Sequence, residues 1–212
     1  MSKFWDDKWT DSYGAFHKKY YIAKDLLNKE DLNKKILDMG SGNGNLFDLL
    51  SQYHFLKKNL YVSDLSSKAL EICQNKSYNV AVKNESFDII TVVDVLEHVE
   101  DPYTFLGELK LKTEDLIIVV PNFNSYKQRL EVLIGRIPFQ NKMQRGGHIL
   151  WVNYKFLLSL FNQLEFEIID TYHLYSKTGN KNSINYKIQN IFPNLFANSY
   201  GFRIRVKKLK RK

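Results

Sequence analysis

Three glycines alternate with Ser41 and Asn43 over residues 40–44, directly after a short apolar run. Residues 35–39 have the length and composition of a buried strand, and residues 46–53 have helical periodicity. Ligands of open α/β sheets lie beyond the carboxyl ends of strands, where glycine permits a tight turn and a close approach of the backbone. The pattern therefore predicts a ligand-binding loop between the first strand and the helix that follows it.

Two common phosphate-binding patterns do not fit this loop. Asn45 stands where the dinucleotide fingerprint has its third glycine, and the Gly-Lys-Ser/Thr of a P-loop is absent. Carboxylates instead mark the strand ends, with Asp38 before the loop, Asp64 after the second strand and Asp94 after the fourth. An acidic rim disfavours pyrophosphate and favours a cation, and Asp64 can accept hydrogen bonds from ribose hydroxyls. A ligand that is cationic, carries a ribose and lacks phosphate is S-adenosylmethionine, which is the predicted cofactor.

Two histidines lie where a methyl acceptor would meet that cofactor. His98 comes just after the fourth strand, and His148 ends the run Arg-Gly-Gly-His after a basic segment. Methyl transfer is an in-line displacement at a sulfonium carbon, so positioning supplies much of the catalysis. A hydroxyl or amine acceptor also gains from a base within hydrogen-bond reach. His98 and His148 are therefore the predicted catalytic residues.

Apolar runs of strand length alternate with helical segments along most of the chain. The predicted strands are residues 35–39, 60–63, 78–82, 87–93, 116–120, 166–172 and 200–206, and the predicted helices are residues 46–53, 66–75, 102–111 and 154–164, with another near 184–192. Several strands are continuous Ile/Val/Leu runs, which is typical of strands covered on both faces of a parallel sheet. The alternation predicts an α/β fold with a doubly wound, mostly parallel sheet and helices on both faces.

Three motifs give the chain a resemblance to the class I S-adenosylmethionine-dependent methyltransferases. Residues 38–44 resemble the first motif, residues 61–65 the second and residues 86–102 the fourth-strand motif, and the similarity extends over about residues 35–170. The resemblance implies a seven-stranded sheet whose last strand is antiparallel. It also implies that Asp38 faces the methionine amino end of the cofactor and that Asp64 binds the ribose. The implied cofactor-binding residues are Asp38, Gly40, Ser41, Gly42, Asn43, Gly44, Asp64, Leu65 and Asp94.

Two finer points concern a possible metal site and the residue that contacts the adenine. Asp94, Glu97 and His98 are spaced so that one helical turn would bring them to one face, and with His148 they could hold a divalent metal. In many family members the equivalent Glu and His only orient the loop, so no metal ligand is predicted and metal assistance stays an alternative. The family also has more chain between Cys73 and Phe87, so the adenine contact is assigned to no residue.

The basic charge of the chain is concentrated in its last residues. The formal net charge is +8, from 31 basic and 23 acidic residues, and residues 201–212 carry seven of the basic residues and no acidic one. The rest of the chain is close to neutral, so the charge does not by itself indicate a nucleic-acid partner. The fractions of hydrophobic and charged residues, 44% and 25%, exclude disorder and collagen-like repeats, and a single cysteine excludes an intrachain disulfide.

The length and the absence of a linker predict a single domain over residues 1–212. Within it we distinguish an aromatic-rich N-terminal segment (residues 1–34), an insertion on the acceptor side (residues 122–147) and a basic tail (residues 207–212). We expect the N-terminal segment to be either a helix packed on the sheet or a lid. We expect the insertion to be either an anion-binding segment or a solvated loop. No apolar run approaches the roughly 18 residues of a membrane span, and the first residues lack a signal-peptide pattern, which predicts a cytoplasmic location.

Residues 124–130 and 196–208 resemble the corresponding segments of family members that act in ubiquinone biosynthesis, on small metabolites or on sugars of surface glycans. The predicted function is therefore O-methylation of a small-molecule or sugar acceptor. Three alternatives stay open: an RNA or tRNA methyltransferase anchored by the basic tail, a metal-assisted O-methyltransferase, and a non-catalytic protein that keeps the fold. A small-molecule or glycan partner is favoured over nucleic acid, and the acceptor atom and oligomeric state are not predicted.

Overall fold

The computed structural model of the protein describes residues 18–138, 148–175, 188 and 191–207. The strands are β1 (Ile36–Met39), β2 (Leu60–Ser63), β3 (Asn79–Val80), β4 (Ile89–Val93), β5 (Asp115–Pro121), β6 (Phe166–Tyr175) and β7 (Ala197–Val206). The helices are α1 (Lys18–Leu26), α2 (Asn45–Gln52), α3 (Ser67–Asn75), α4 (Pro102–Lys110), α5 (Tyr126–Leu133), α6 (Tyr154–Gln163) and α7 (Pro193–Phe196). Short 3-10 turns cover Lys29–Asp31, Lys57–Asn59 and Leu96–His98.

The strands form one seven-stranded sheet in the order β3-β2-β1-β4-β5-β7-β6. The neighbours among β1 to β5 pair in parallel, whereas β7 pairs antiparallel with both β5 and β6. The strand order reverses between β1 and β4, and ligands of doubly wound sheets bind at such a switch point. The predicted mostly parallel sheet with an antiparallel last strand is confirmed, and the loop after β1 lies at the switch point.

Both faces of the sheet are covered. Successive residues of a strand point to opposite faces, and β1 shows this directly. Leu37 packs in a buried cluster with residues of α4 and α6, whereas its neighbour Ile36 packs in a second cluster with residues of α1, α2 and α3. The described part of the N-terminal segment, α1, buries Ile22 and Leu26 in this second cluster. It therefore packs on the sheet, while residues 1–17 lie outside the described residues.

The end of the sheet departs from the sequence-based expectation in one respect. The alternation of apolar and basic residues over residues 202–206 predicts a last strand with one face more exposed to solvent than the other. Arg203 is instead buried in β7, where its guanidinium lies 2.7 Å from Asp31 and 2.8 Å from Asp115. A buried guanidinium needs such paired carboxylates, because an isolated buried charge is strongly unfavourable. Arg205 also reaches Asp115, at 2.8 Å, but keeps partial contact with solvent.

Two further elements differ in extent from their prediction. Strand β3 has two residues, because Tyr78 does not pair with β2 and instead packs edge-on against Phe47 with its hydroxyl donating to Asp48. The helix predicted near residues 184–192 lies largely outside the described residues. Among the residues that the structure describes, no helix has both the length and the apolar character needed to cross a membrane.

Candidate active site

The loop between β1 and α2 is held against β2 by backbone hydrogen bonds. The Gly40 amide donates to the Ser63 carbonyl at 2.7 Å, which fixes the chain as it leaves β1. The φ angles of Gly40, Gly42 and Gly44 are 75°, 52° and 80°, a left-handed conformation that residues with a Cβ rarely adopt. A Cβ at Gly40 would also lie 2.4 Å from Cγ2 of Val95. This loop conformation therefore requires glycine at the positions where the sequence has it.

The carboxylate of Asp64 joins the glycine loop to the next turn. Its Oδ2 accepts a hydrogen bond from the Gly42 amide, and its Oδ1 accepts one from the Ser66 amide, both at 2.8 Å. An ionised carboxylate has about four acceptor sites, so capacity for hydroxyl groups is left on both oxygens. The next residue, Leu65, exposes 68% of its surface beside this carboxylate. Asp64 thus fixes the loop, a role that the sequence did not reveal, and can still accept hydrogen bonds from a ligand.

Asp38 lies buried at the end of β1. The Thr91 hydroxyl of β4 donates to its Oδ1 at 2.7 Å. Burial raises the pKa of Asp38 to about 7, the Thr91 hydrogen bond opposes that rise, and the negative charge of Asp64 adds to it. A cationic group placed beside Asp38 would stabilise its ionised form. The carboxyl is therefore suited to a ligand that brings an ammonium group.

The glycine loop is also held by two residues in and just after α3, neither of which the sequence analysis assigned to the site. The Cys73 thiol of α3 donates to the Gly42 carbonyl at 3.3 Å, and burial raises the pKa of this thiol to about 12. The Lys76 ammonium donates to the Asn43 carbonyl at 2.7 Å and to Asp48 at 2.6 Å. These contacts join residues that are far apart in the chain, so no local sequence motif predicts them.

The residues of the loop fit the predicted cofactor. The buried side-chain Oδ1 of Asn43 has no hydrogen-bond partner among the described residues, and a buried polar atom of this kind calls for a donor from outside. Together with the carboxyls of Asp38 and Asp64, it offers hydrogen-bond acceptors to a ligand. This set of acceptors suits the ammonium and ribose hydroxyls of S-adenosylmethionine and does not suit a phosphate.

The end of β4 carries a lysine that comes from a distant helix. Lys19 of α1 forms an ion pair and hydrogen bond with Asp94, which follows β4 with a φ of 55°. The Asp94 amide donates to the Val119 carbonyl at 2.9 Å, which holds this residue beside β5. The sequence predicted Asp94 at the cofactor mouth but gave no signal for Lys19, which is 75 positions away.

A buried carboxyl and two imidazoles meet next to this ion pair. Glu97 is fully buried, and neither of its carboxylate oxygens has a hydrogen-bond partner among the described residues. Burial raises its pKa well above the ordinary value, the charge of Asp94 adds to that rise, and Lys19 opposes it. Nε2 of His148 lies 3.9 Å from Oε1 of Glu97, and the ring centroids of His98 and His148 are 4.8 Å apart.

The structure therefore brings together both predicted catalytic histidines, but not in the way the spacing suggested. Ligand atoms of Glu97, His98 and His148 all lie within 4.8 Å of one another. Asp94 stands outside the short 3-10 turn of Glu97 and His98 and pairs with Lys19. The predicted helical turn that would align Asp94 with the other residues is not formed, because Asp94 has left-handed backbone geometry.

His148 belongs to a segment that leads to a pocket. The Glu97 carbonyl accepts hydrogen bonds from the amides of Ile149 and Leu150, at 3.0 and 3.1 Å, and so anchors the chain before Trp151. The Phe123 ring lies 5.2 Å from the His148 ring and also lines a pocket of about 350 Å³ between α5 and this segment. The Phe123 ring thus connects the pocket with the surroundings of His148. Residues 139–147 of the predicted insertion and residues 208–212 of the basic tail lie outside the described residues.

Comparisons with known proteins agree with this geometry. A family model described as a methyltransferase domain matches residues 16–171. The chain is 24% identical over 136 residues to a ubiquinone biosynthesis O-methyltransferase of Haemophilus ducreyi, covering 54% of this chain and 56% of that protein. It is 25% identical over 169 residues to the protein of the same name from Glaesserella parasuis, covering 69% of this chain and 72% of that protein. The chain therefore spans little more than half the length of the first of these relatives.

A solved structure supports the fold independently. Magnesium protoporphyrin IX methyltransferase from Synechocystis PCC 6803, with S-adenosylhomocysteine bound, superposes with a TM-score of 0.64 at 16% identity. The match covers 97% of this chain and 97% of that one. At this identity the likeness concerns the fold, and the fold it supports is the doubly wound sheet described above.

Proposed function

We propose that this chain, which belongs to the methyltransferase domain family and is an S-adenosylmethionine-dependent methyltransferase, methylates a hydroxyl oxygen of a small acceptor. Membership of this family favours an enzyme over a non-catalytic protein that keeps the fold. The observation that carries the proposal is the pair of imidazoles, His98 and His148, with ring centroids 4.8 Å apart beside a pocket of small-molecule size.

The residues of the glycine loop would hold the cofactor. The backbone of residues 40–44 would follow it, Asp38 would meet its amino group, Asp64 its ribose hydroxyls, and Leu65 and Asp94 would line the mouth. When bound, S-adenosylmethionine supplies a methyl group activated by a positively charged sulfur. The protein contributes placement, because an in-line displacement depends strongly on the alignment of the reacting atoms.

The histidines would take the acceptor proton. A neutral imidazole within hydrogen-bond reach of the acceptor hydroxyl removes its proton as the new C–O bond forms, which raises the nucleophilicity of the oxygen. His148 is the better placed of the two, because its Nε2 faces the buried Glu97 carboxyl at 3.9 Å. A proton taken up by His148 would favour ionisation of this carboxyl, and the carboxylate would then stabilise the imidazolium.

The test is methyl transfer from labelled S-adenosylmethionine to a panel of catechol, glucose and transfer RNA. We expect label in a hydroxyl-bearing small molecule, and we expect His148→Gln to lower kcat about 100-fold, the scale of a lost general base. Affinity for S-adenosylhomocysteine should stay unchanged in this variant. Label found only in transfer RNA, or an unchanged kcat in both His148→Gln and His98→Gln, would contradict the proposal.

A metal-assisted version of the same reaction is the second candidate. It is favoured by one observation, the close grouping of Glu97, His98 and His148 around a buried carboxyl without a hydrogen-bond partner among the described residues. One carboxylate and two imidazoles suit Mn²⁺ or Zn²⁺ better than Mg²⁺. Such an ion would act as a Lewis acid on the acceptor oxygen.

Chelation separates the two versions. Metal assistance predicts that excess chelator abolishes activity and that Mn²⁺, Zn²⁺ or Mg²⁺ restores it, whereas the histidine-base version predicts full activity in chelator. Glu97→Gln removes the anionic ligand while keeping the side-chain volume, so a metal-dependent enzyme would lose both activity and its binding of Mn²⁺. Measuring Mn²⁺ binding by paramagnetic resonance gives a readout independent of turnover.

A further inference from the structure

Arg129 brings a positive charge to the pocket near His148. Of the described residues that line this pocket, Arg129 is the charged one; the others are apolar, aromatic or uncharged polar side chains. The described part of the lining contains no carboxylate that would neutralise it. A concave site with one guanidinium and no acid favours an anionic ligand, since Arg binds carboxylate and phosphate through parallel hydrogen bonds.

The guanidinium is held on one edge only. Its Nε donates to the backbone carbonyl of Asn124 at 2.9 Å and to the side-chain oxygen of the same residue at 3.1 Å. Asn124 is itself fixed, because its amide donates to Asn122 Oδ1 at 2.8 Å, and Asn122 donates in turn to the Ala197 carbonyl at 2.7 Å. Among the described residues these are the hydrogen bonds of the Arg129 side chain, so its two terminal nitrogens are left for a ligand.

The walls of the pocket are apolar surfaces that face solvent. Trp151 exposes 56% of its surface and Val132 exposes 54%, and both line the pocket with the buried ring of Phe123. An exposed indole beside a guanidinium offers a flat contact for a planar ring and a hydrogen-bonding edge for its substituent. Pockets for small ligands combine an apolar lining with a few polar groups of this kind.

We propose that this pocket binds the methyl acceptor and that the acceptor is a hydroxylated aromatic acid, with its carboxylate or phosphate on Arg129 and its ring against Trp151. The inference rests on the proposed O-methylation and narrows it to a substrate class. Continuity with the reaction site supports it: Phe123 lines the pocket and lies 5.2 Å from the ring of His148, and Trp151 is three positions beyond that histidine.

The test is binding, measured by calorimetry with the donor site saturated by S-adenosylhomocysteine. The probes are 4-hydroxybenzoate, its uncharged analogue 4-hydroxybenzamide, and phenyl phosphate. We expect at least one of the two anions to bind about tenfold or more tightly than the amide, the scale of one charge-assisted hydrogen-bonded pair. Whichever anion binds more tightly identifies the acid group.

Two variants make the test specific. Arg129→Gln should abolish the preference for the acid over the amide, whereas Lys127→Gln should keep it, because Lys127 is exposed on the same helix but does not line the pocket. No binding of either anion, equal binding of acid and amide, or a preference that survives Arg129→Gln would overturn the inference. Failure of the proposed function is separate, since it would appear as no S-adenosylhomocysteine binding or no methylation of any hydroxyl.

Discussion

The two sides of the proposed site are built in different ways. The donor side, formed by residues 38–45, 63–66 and 91, is buried or half-buried except at Leu65, and it is held by hydrogen bonds between adjacent strands and their loops. The acceptor side, formed by residues 122–138 and 148–153, rests on side chains at the surface, and Leu133 exposes 81% of its area there. On the donor side, backbone geometry therefore fixes the position of the binding groups, whereas on the acceptor side exposed side chains determine which acceptor is selected.

This difference predicts opposite sensitivities to substitution. A change on the donor side must disturb the loop that the sheet holds, so stability and cofactor affinity should fall together. A change on the acceptor side should alter the choice or turnover of acceptor and leave the fold intact. In many proteins a rigid scaffold maintains the fold, and the loops that it carries determine binding specificity.

The largest effect is expected from Gly40→Ala. Its Cβ would lie 2.4 Å from Val95 Cγ2 at a φ of 75°, so both overlap and backbone strain oppose the folded state. We expect a loss of about 3 kcal/mol in the free energy of unfolding and no measurable cofactor binding. Chemical denaturation and calorimetry give the two values.

A glycine on the acceptor side supplies the matched control. Gly135 has nearly the same φ, 74°, but a Cβ there would meet no atom within 4 Å. Gly135→Ala should therefore cost about 1 kcal/mol of strain alone and leave cofactor affinity unchanged. Val95→Ala in combination with Gly40→Ala should recover part of the loss. Equal effects of the two glycine substitutions would break the proposed contrast between the sides.

The next effect concerns Asp64. In Asp64→Asn an amide N–H would face either the Gly42 or the Ser66 amide, both of which now donate to the carboxylate at 2.8 Å. Affinity for S-adenosylhomocysteine should fall by about 10- to 100-fold, the range for a lost hydrogen bond to a charged group. Asp101→Asn is the control, because Asp101 also accepts from two backbone amides, at the start of α4 and away from the loop. It should lower stability only.

The smallest effect is a pH dependence limited to the donor side. Asp38 has a pKa of about 7, raised by burial, so it is mostly protonated at pH 6 and mostly ionised at pH 8. A carboxylate that meets the cofactor's ammonium should bind it about tenfold more tightly at pH 8 than at pH 6. Asp38→Asn should remove that dependence, leaving only the titration of the cofactor's own amino group.

The same carboxyl has a stability consequence of opposite sign. Its folded pKa lies above the unfolded value near 4, so between about pH 4 and pH 7 the unfolded state ionises first and stability falls as pH rises. Asp38→Asn should therefore stabilise the cofactor-free protein at pH 8 and change it little at pH 4, by thermal denaturation. Binding of 4-hydroxybenzoate at Arg129 should not change over pH 6 to 8, because the guanidinium and the carboxylate both keep their charges in this range. A pH-independent cofactor affinity would count against the role of Asp38.

The donor side could be read from the sequence because its parts are local. The glycines stand at the positions where the loop needs them, and the carboxyls of Asp38 and Asp64 directly follow or end strands. The strand pattern predicted the sheet for a similar reason, since continuous apolar runs report burial on both faces.

The rest depends on pairings between distant residues. Lys19 reaches Asp94 across 75 positions, and Arg203 is buried only because Asp31 and Asp115 come to it from other parts of the chain. The alternation of apolar and charged residues in a strand predicts the face on which each residue lies. It does not predict which distant residues form ion pairs with it. The spacing of Asp94 and Glu97 suggested a helical turn that the left-handed geometry of Asp94 prevents.

The position of β7 has a consequence for the order in which the protein assembles. Among the described strands, β7 comes last along the chain but lies between β5 and β6, and β6 pairs with β7 alone. During synthesis β5 therefore keeps an open edge, and β6 has no neighbour, until residues 197–206 have been made. An open edge is a template for pairing with another chain. A chain that ends before Arg203 would have an unpaired edge and two buried carboxylates, Asp31 and Asp115, that lack their shared cation.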